Sequence, residues 1–309
     1  MTITRYRQLA LVTTIGVCFL TVAGAGVRLT GSGLGCDDWP RCNDQRFIDV
    51  STGHAAIEQL NRLLSGLIAV PTLLLVVWAF RAAPRGTGLR WPAIGVLVSI
   101  LANGVVGGFA VLGDLHPALV QSHFLLAMIS IAFGLIAVRV GSGRPIPWNR
   151  FTLRSSVHRL LAAIVVFTGA ALVTGTVVTG AGPHAGDETA RRYGYDIGSV
   201  ARVHSATVII AVACAVALAW LVMRRAASLR PAMSTWLFVA IVQGGIGYVQ
   251  YFNGVPELLV WLHVCGATAL WVVTVRLVLA TLDTAEGLEP SRVHADETDR
   301  FASSESANV

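Results

Sequence analysis

Residues 103–109 read Asn103-Gly-Val-Val-Gly-Gly-Phe109 and residues 119–123 read Leu119-Val-Gln-Ser-His123. With one offset of 140 (263 − 123) they lie over Gln243-Gly-Gly-Ile-Gly-Tyr-Val249 and Leu259-Val-Trp-Leu-His263. Glycine or polar positions and a histidine coincide, which marks an internal duplication. Working outward, Gly26-Val-Arg-Leu-Thr-Gly-Ser-Gly33 falls over Gly175-Thr-Val-Val-Thr-Gly-Ala-Gly182 at an offset of 149 (175 − 26). Ile57-Glu-Gln-Leu-Asn61 falls over Val200-Ala-Arg-Val-His204 at an offset of 143 (204 − 61), the drift being absorbed by loops.

The repeat is written in apolar residues. The chain has 309 residues, 54% of them hydrophobic and 13% charged, with a mean hydropathy of +0.67. That leaves too little polar surface for a water-soluble globule of this size. A membrane span needs roughly 20 mostly apolar residues. Eight such runs are read near 8–27, 56–80, 91–112, 117–138, 157–178, 199–223, 233–252 and 256–280. Four spans per repeat is an even number, so the halves share one orientation and are related by a pseudo-twofold axis along the membrane normal. The expected fold is an all-α integral membrane protein of eight transmembrane helices, arranged as two pseudo-twofold-related four-helix bundles. The N-terminal half covers residues 1–150 and the C-terminal half 151–282. Residues 283–309, with Glu286, Glu289, Asp296, Glu297 and Asp299, read as a disordered cytoplasmic tail. The first apolar run lacks a small-residue cleavage site and leads into further structure, so it is read as a retained helix.

Short loops rich in basic residues stay on the cytoplasmic side. Arg5 and Arg7, then Arg81, Arg85 and Arg90, then Arg139, Arg144, Arg150 and Arg154, then Arg224, Arg225 and Arg230 all fall at alternate span ends. Those ends are read as inside, which puts both termini in the cytoplasm and the chain in the plasma membrane. The formal charge of +6 is thereby explained by topology and gives no sign of a nucleic-acid surface. Cys18, Cys214 and Cys265 lie in spans and read as small packing residues. Cys36 and Cys42 lie in the first outside loop, where an oxidising compartment permits a disulfide, with a free or redox-active thiol pair as the alternative.

His123, His204 and His263, together with Asn61, each lie a few residues inside the outer end of a span, at one depth. Polar or metal-binding side chains in hydrocarbon are costly, so their recurrence at one level needs a common cause. His204 and His263, on the sixth and eighth spans, are placed to ligate a haem from both faces. The bland alternative is a set of interhelical hydrogen bonds. In the first half Asn61 stands in the place of His204 and Glu58 in that of Ala201, so a haem there would meet His123 on one face and a carboxylate at its edge. Glu58 has Arg62 four residues on, at ion-pair spacing. Arg28, Arg62 and Arg202 are candidates for haem propionates or for snorkelling to the interface. His54 and His116, at the outer surface, are lesser candidates for a missing axial ligand; Trp39, Trp91, Trp236 and Trp261 read as interfacial or packing residues.

GAGVRLTGSGLGCDDWPRC after the first span, IEQLNR in the second, QSHFLLA in the fourth, and His204 and His263 together resemble the haem A synthase family, CtaA/Cox15. The resemblance implies oxidation of the C8 methyl group of haem O to a formyl group, through an alcohol and a geminal diol, giving haem A for terminal cytochrome oxidase. It implies haem B as cofactor on His204 and His263, the substrate haem on His123 in the N-terminal half, and Glu58 as the functional glutamate. Many relatives have histidine where this chain has Asn61, so here Asn61 is at most a weak contact to the substrate haem. Partners in that setting would be haem O, membrane lipid, haem O synthase, cytochrome oxidase assembly proteins and further copies of the chain. Competing readings are a bis-histidine membrane cytochrome for electron transfer and a haem carrier. Glu58 and Asn61 weigh against the first, because a relay gains little from losing a histidine and acquiring a carboxylate.

Overall fold

The computed structural model describes residues 3–81, 88–147, 155–225 and 227–284. Arg85, Arg150, Arg154, His294 and the acidic residues from Glu286 onward lie outside the described residues.

Eight α-helices hold most of the described residues: α1 (Ile3–Leu29), α2 (Gly53–Arg81), α3 (Arg90–Leu112), α4 (Pro117–Val140), α5 (Ser156–Ala181), α6 (Ile197–Arg225), α7 (Arg230–Phe252) and α8 (Glu257–Thr284). All eight are long and apolar enough to cross a membrane, and only a minority of each span is buried inside the protein. Leu67, Phe238, Ile241 and Phe252 stand exposed along helix flanks, as expected where lipid rather than water is the solvent. The chain is thus an all-α, multi-pass membrane protein, as read from its composition.

Helix starts are set by local chemistry. Thr52 Oγ1 accepts the Ala55 N–H at 3.1 Å and Asp196 Oδ2 accepts the Ser199 N–H at 2.8 Å, capping α2 and α6. That Ser199 contact holds the Asp196 carboxyl below the usual carboxylate range. His116 caps α4, with Pro117 in its first turn.

Within the first half α1 packs on α2 and α4, α3 on α4, and α2 on α3; within the second half α5, α6, α7 and α8 repeat those pairings. Between halves α1 meets α8, α4 meets α5, and α4 meets α8. Replacing each helix by its counterpart four places along leaves this set of pairings unchanged.

Each half has its buried cluster at the same end. Tyr6, Leu75, Leu89, Ala93 and Val140 form one, with the Tyr6 hydroxyl donating to Leu89 O at 2.8 Å. Leu161, Ile164, Leu218, Trp236 and Leu277 form the other, where Trp236 Nε1 donates to Thr274 Oγ1 at 2.8 Å. Val17, Met128, Ile131 and Leu172 join the halves. At this end Arg139, itself buried, binds Asp283 through both carboxylate oxygens at 2.7 and 3.0 Å and Leu279 O at 2.7 Å, tying α4 to α8. The histidine-bearing turns lie at the opposite end, away from both clusters.

Candidate functional site

At that opposite end the loop after α1 is a compact knot. Cys36 and Cys42 are disulfide-bonded and fully buried. Asn43 Oδ1 accepts the N–H groups of Gln45 and Arg46, and Asn43 Nδ2 donates to Asp49 at 2.8 Å. Arg41 and the Trp39 N–H hold Asp38 below the ordinary carboxylate range, and Ser51 does the same for Asp49. A side chain on Gly35 would run into the His54 carbonyl, so the loop lies hard against the start of α2. The Gly33 N–H donates to Gly186 O at 2.9 Å, which joins this loop to the one between α5 and α6.

Glu58 is the hinge of the knot. Its Oε1 accepts from Arg62 Nη2 at 2.6 Å and Nε at 3.1 Å, and its Oε2 accepts the Cys36 N–H at 2.7 Å. Arg62 Nη1 donates onward to Asp38 O at 2.9 Å and Arg41 O at 3.1 Å. The i,i+4 pair expected from the spacing forms, and it also pins the disulfide loop. With 5% of its surface exposed, Glu58 is a buried carboxylate held by two N–H groups of one guanidinium on Oε1 and a backbone amide on Oε2.

Three histidine rings rest on glycines of neighbouring helices in one arrangement. A Cβ built on Gly107, Gly175 or Gly247 would lie 2.8, 3.1 or 3.0 Å from Cε1 of His123, His204 or His263, and 3.8, 3.8 or 3.9 Å from the corresponding Nε2. Only glycine lets an imidazole settle so close to the opposing backbone. His123 Nδ1 lies 3.0 Å from Asn103 O. A carbonyl only accepts, so Nδ1 carries the proton and the Nε2 lone pair is free. His204 Nδ1 lies 3.2 Å from Thr174 Oγ1, whose own proton goes to Ala170 O at 2.8 Å; the same tautomer results. His263 Nδ1 is buried without a hydrogen-bond partner. Neutral imidazoles offering Nε2 are the form that binds a metal. His123 is exposed and the other two rings are half-buried, although all three sit inside spans.

The rings of His204 and His263 have centroids 6.3 Å apart and planes at 77°. Metal–imidazole bonds of about 2 Å, with a further ~1.1 Å from nitrogen to ring centre, put two axial ligands of one metal about 6 Å apart. The observed centroid separation matches that spacing. Among the described residues no third His, Cys, Asp or Glu joins a cluster able to hold a bare metal ion. Two imidazoles and a macrocycle complete a six-coordinate shell, whereas two imidazoles alone do not.

The other expected site residues are placed as follows. Asn61 lies on α2, where its amide oxygen is buried without a partner. Arg28 donates to His184 O, and His184 Nε2 donates to Val255 O at 2.8 Å, linking the end of α1 to the α5–α6 and α7–α8 loops. Arg202 is exposed and donates to Ser199 Oγ at 2.9 Å. His54 Nδ1 lies 2.9 Å from Ser32 Oγ, and His116 is engaged in its cap. Trp39 lies across Gly108, beside the glycine that carries His123. Sequence reasoning missed Thr174 and the role of the glycines under the rings. The repeated Gly107 and Gly247, sixteen residues before each histidine (123 − 107 = 263 − 247 = 16), were the available signal.

Fold and site together define a polytopic helical membrane protein with duplicated, metal-ready imidazoles near one membrane face. A protein-family profile described as "COX15-CtaA: Cytochrome oxidase assembly protein" matches residues 7–54, which is α1 with the disulfide loop. The chain is similar to a "Heme A synthase" of Geobacillus kaustophilus, 35% identical over 131 residues, covering 42% of this chain and 41% of the relative. It is similar to one of Bacillus licheniformis, 27% identical over 175 residues, covering 56% and 58%. A third, of Geobacillus thermodenitrificans, is 31% identical over 131 residues, covering 42% and 41%. The chain spans about half the length of the relatives it matches. The resemblance to the haem A synthase family read from the sequence is borne out.

Proposed function

We propose that the chain is an oxidoreductase of the plasma membrane, with both termini cytoplasmic, that converts the C8 methyl group of haem O to a formyl group and so makes haem A for terminal cytochrome oxidase. The observation that carries this reading is the asymmetry of the duplicated site. The second half presents two imidazoles at the spacing of axial ligands. The first half keeps its counterpart His123 but sets Asn61 and the buried Glu58 where His204 and Ala201 stand. Haem O synthase and cytochrome oxidase assembly proteins are the partners this activity calls for.

The two halves then divide the work as residues 1–150 for the substrate haem and 151–282 for haem B, about a pseudo-twofold axis. A bound haem B supplies one-electron redox chemistry. His204 and His263 would hold it from α6 and α8, with Thr174 orienting His204. His123 holds the substrate haem from α4. Glu58, paired with Arg62 and oriented by the Cys36 amide, would set a carboxylate beside the methyl carbon as positive charge develops there. Arg202 is the best placed of the three arginines for a propionate, because Arg62 is committed to Glu58 and the loop, and Arg28 to the His184 carbonyl. Purified protein incubated with haem O tests the activity: mass spectrometry of the extracted pigment should show conversion of a methyl to a formyl group, and unchanged haem O would refute it.

The glycines under the rings give a sharper prediction. Gly247→Ala puts a methyl 3.0 Å from His263 Cε1 and should weaken haem retention in the second half by about tenfold. Gly245→Ala, whose Cβ meets nothing within 4 Å, should leave it unchanged while adding a little helix stability. Haem content after gel filtration separates the two.

A further inference from the structure

The two halves differ at more than the α2 histidine. In the second half His204 rests on Gly175, gives its Nδ1 proton to Thr174, and has Thr207 3.3 Å from that same hydroxyl. The repeat offsets place Ala25 at Thr174 (174 − 25 = 149), Leu64 at Thr207 and Asn61 at His204 (207 − 64 = 204 − 61 = 143), while Gly26 keeps the place of Gly175. The ligand and both hydroxyls around it are thus replaced together, and the glycine stays. A Cβ on Gly26 would meet only Trp261 Nε1, at 3.9 Å. Asn61 leaves its amide oxygen buried and unpartnered, a cost that a polar guest would relieve. Among the described residues, His116 accepts the Ala118 N–H at the α4 start, and His54 sits seven residues before Asn61 on α2, about 10 Å away along the helix axis.

We infer that the α2 side of the first-half haem, beside Asn61, is an open coordination site for a small exogenous ligand, either water or a small anion of the cyanide class. This rests on the reading that His123 seats a haem in the first half. The amide of Asn61 supplies a hydrogen bond to the guest without competing for the iron, since a carboxamide is a weak metal donor beside an imidazole.

The test uses the full chain in detergent, loaded with ferric haem B as a spectroscopic stand-in at two equivalents and titrated with cyanide. One haem should shift its spectrum saturably, and the other, lost in His263→Ala, should not respond. Asn61→His should weaken the cyanide response at least about tenfold, and Ala25→Thr combined with Asn61→His, which restores the Nδ1 acceptor, should abolish it and give two six-coordinate haems at rest. Asn61→Ala, which removes the amide without adding a ligand, should keep the response. The second-half haem spectrum reports that each variant is folded. Two bound haems of which neither responds, or an undiminished response in the doubly substituted variant, overturns the open site while leaving the two-haem reading standing. Uptake of one haem only, lost in His263→Ala, overturns both.

Discussion

Replacing Glu58 by Ala should stop formyl-haem production, a loss of about a hundredfold or more for removing a preorganised charge at the reacting carbon. The second-half haem should remain bound. The structure supplies a control, because Glu58 also holds the Cys36 N–H and Arg62. Ala removes both the charge and the tie to the loop, and leaves the Arg62 guanidinium partly buried without its counter-ion, which is itself destabilising. Glu58→Gln keeps an acceptor for the Cys36 amide and discards the charge. If the charge is what matters, Gln should be as inactive as Ala with the loop still resistant to protease. If Glu58 only anchors the loop, Gln should retain most of the activity. Haem extraction and chromatography read the first outcome and limited proteolysis the second.

Replacing His263 by Ala should abolish the six-coordinate spectrum and the second-half haem, with turnover falling to background. His204→Ala should do the same, because a haem held from one face loses half its protein ligation. His123→Ala should behave differently. The six-coordinate haem should persist while retention of haem O is lost, since His123 lies on α4 and is not part of the His204–His263 pair. A retained six-coordinate haem in His263→Ala would contradict the ligand assignment.

The eight spans were legible because a helix crossing hydrocarbon must be a long apolar run, and the observed ends fall within a few residues of those read from composition. The depth of the histidines was legible for the same reason. The spacing of Glu58 and Arg62 admitted the ion pair that forms, and the outside position of the first loop admitted the Cys36–Cys42 bridge over a free thiol pair. What each helix faces was not legible. A soluble helix declares its buried side by alternating polar and apolar faces, but lipid lets both sides be apolar and erases that signal. Trp236 and Trp261 illustrate it. Both could have been belt residues, yet Trp236 is buried against Thr274, and Trp261 reaches across the halves to Val22 O at 3.1 Å. The second partner of Glu58 was hidden because the Cys36 amide reaches it only once the loop folds back over α2. Likewise the pairing of each histidine with a glycine becomes visible only when antiparallel neighbours are brought into register, as with Gly175 and His204 on α5 and α6.

Whether the second half clamps an iron porphyrin between His204 and His263 is read from the absorption spectrum of the wild-type chain, purified from membranes supplied with haem B alone. The protein should be coloured, with a low-spin, six-coordinate haem. A colourless preparation that takes up no added haem would contradict it.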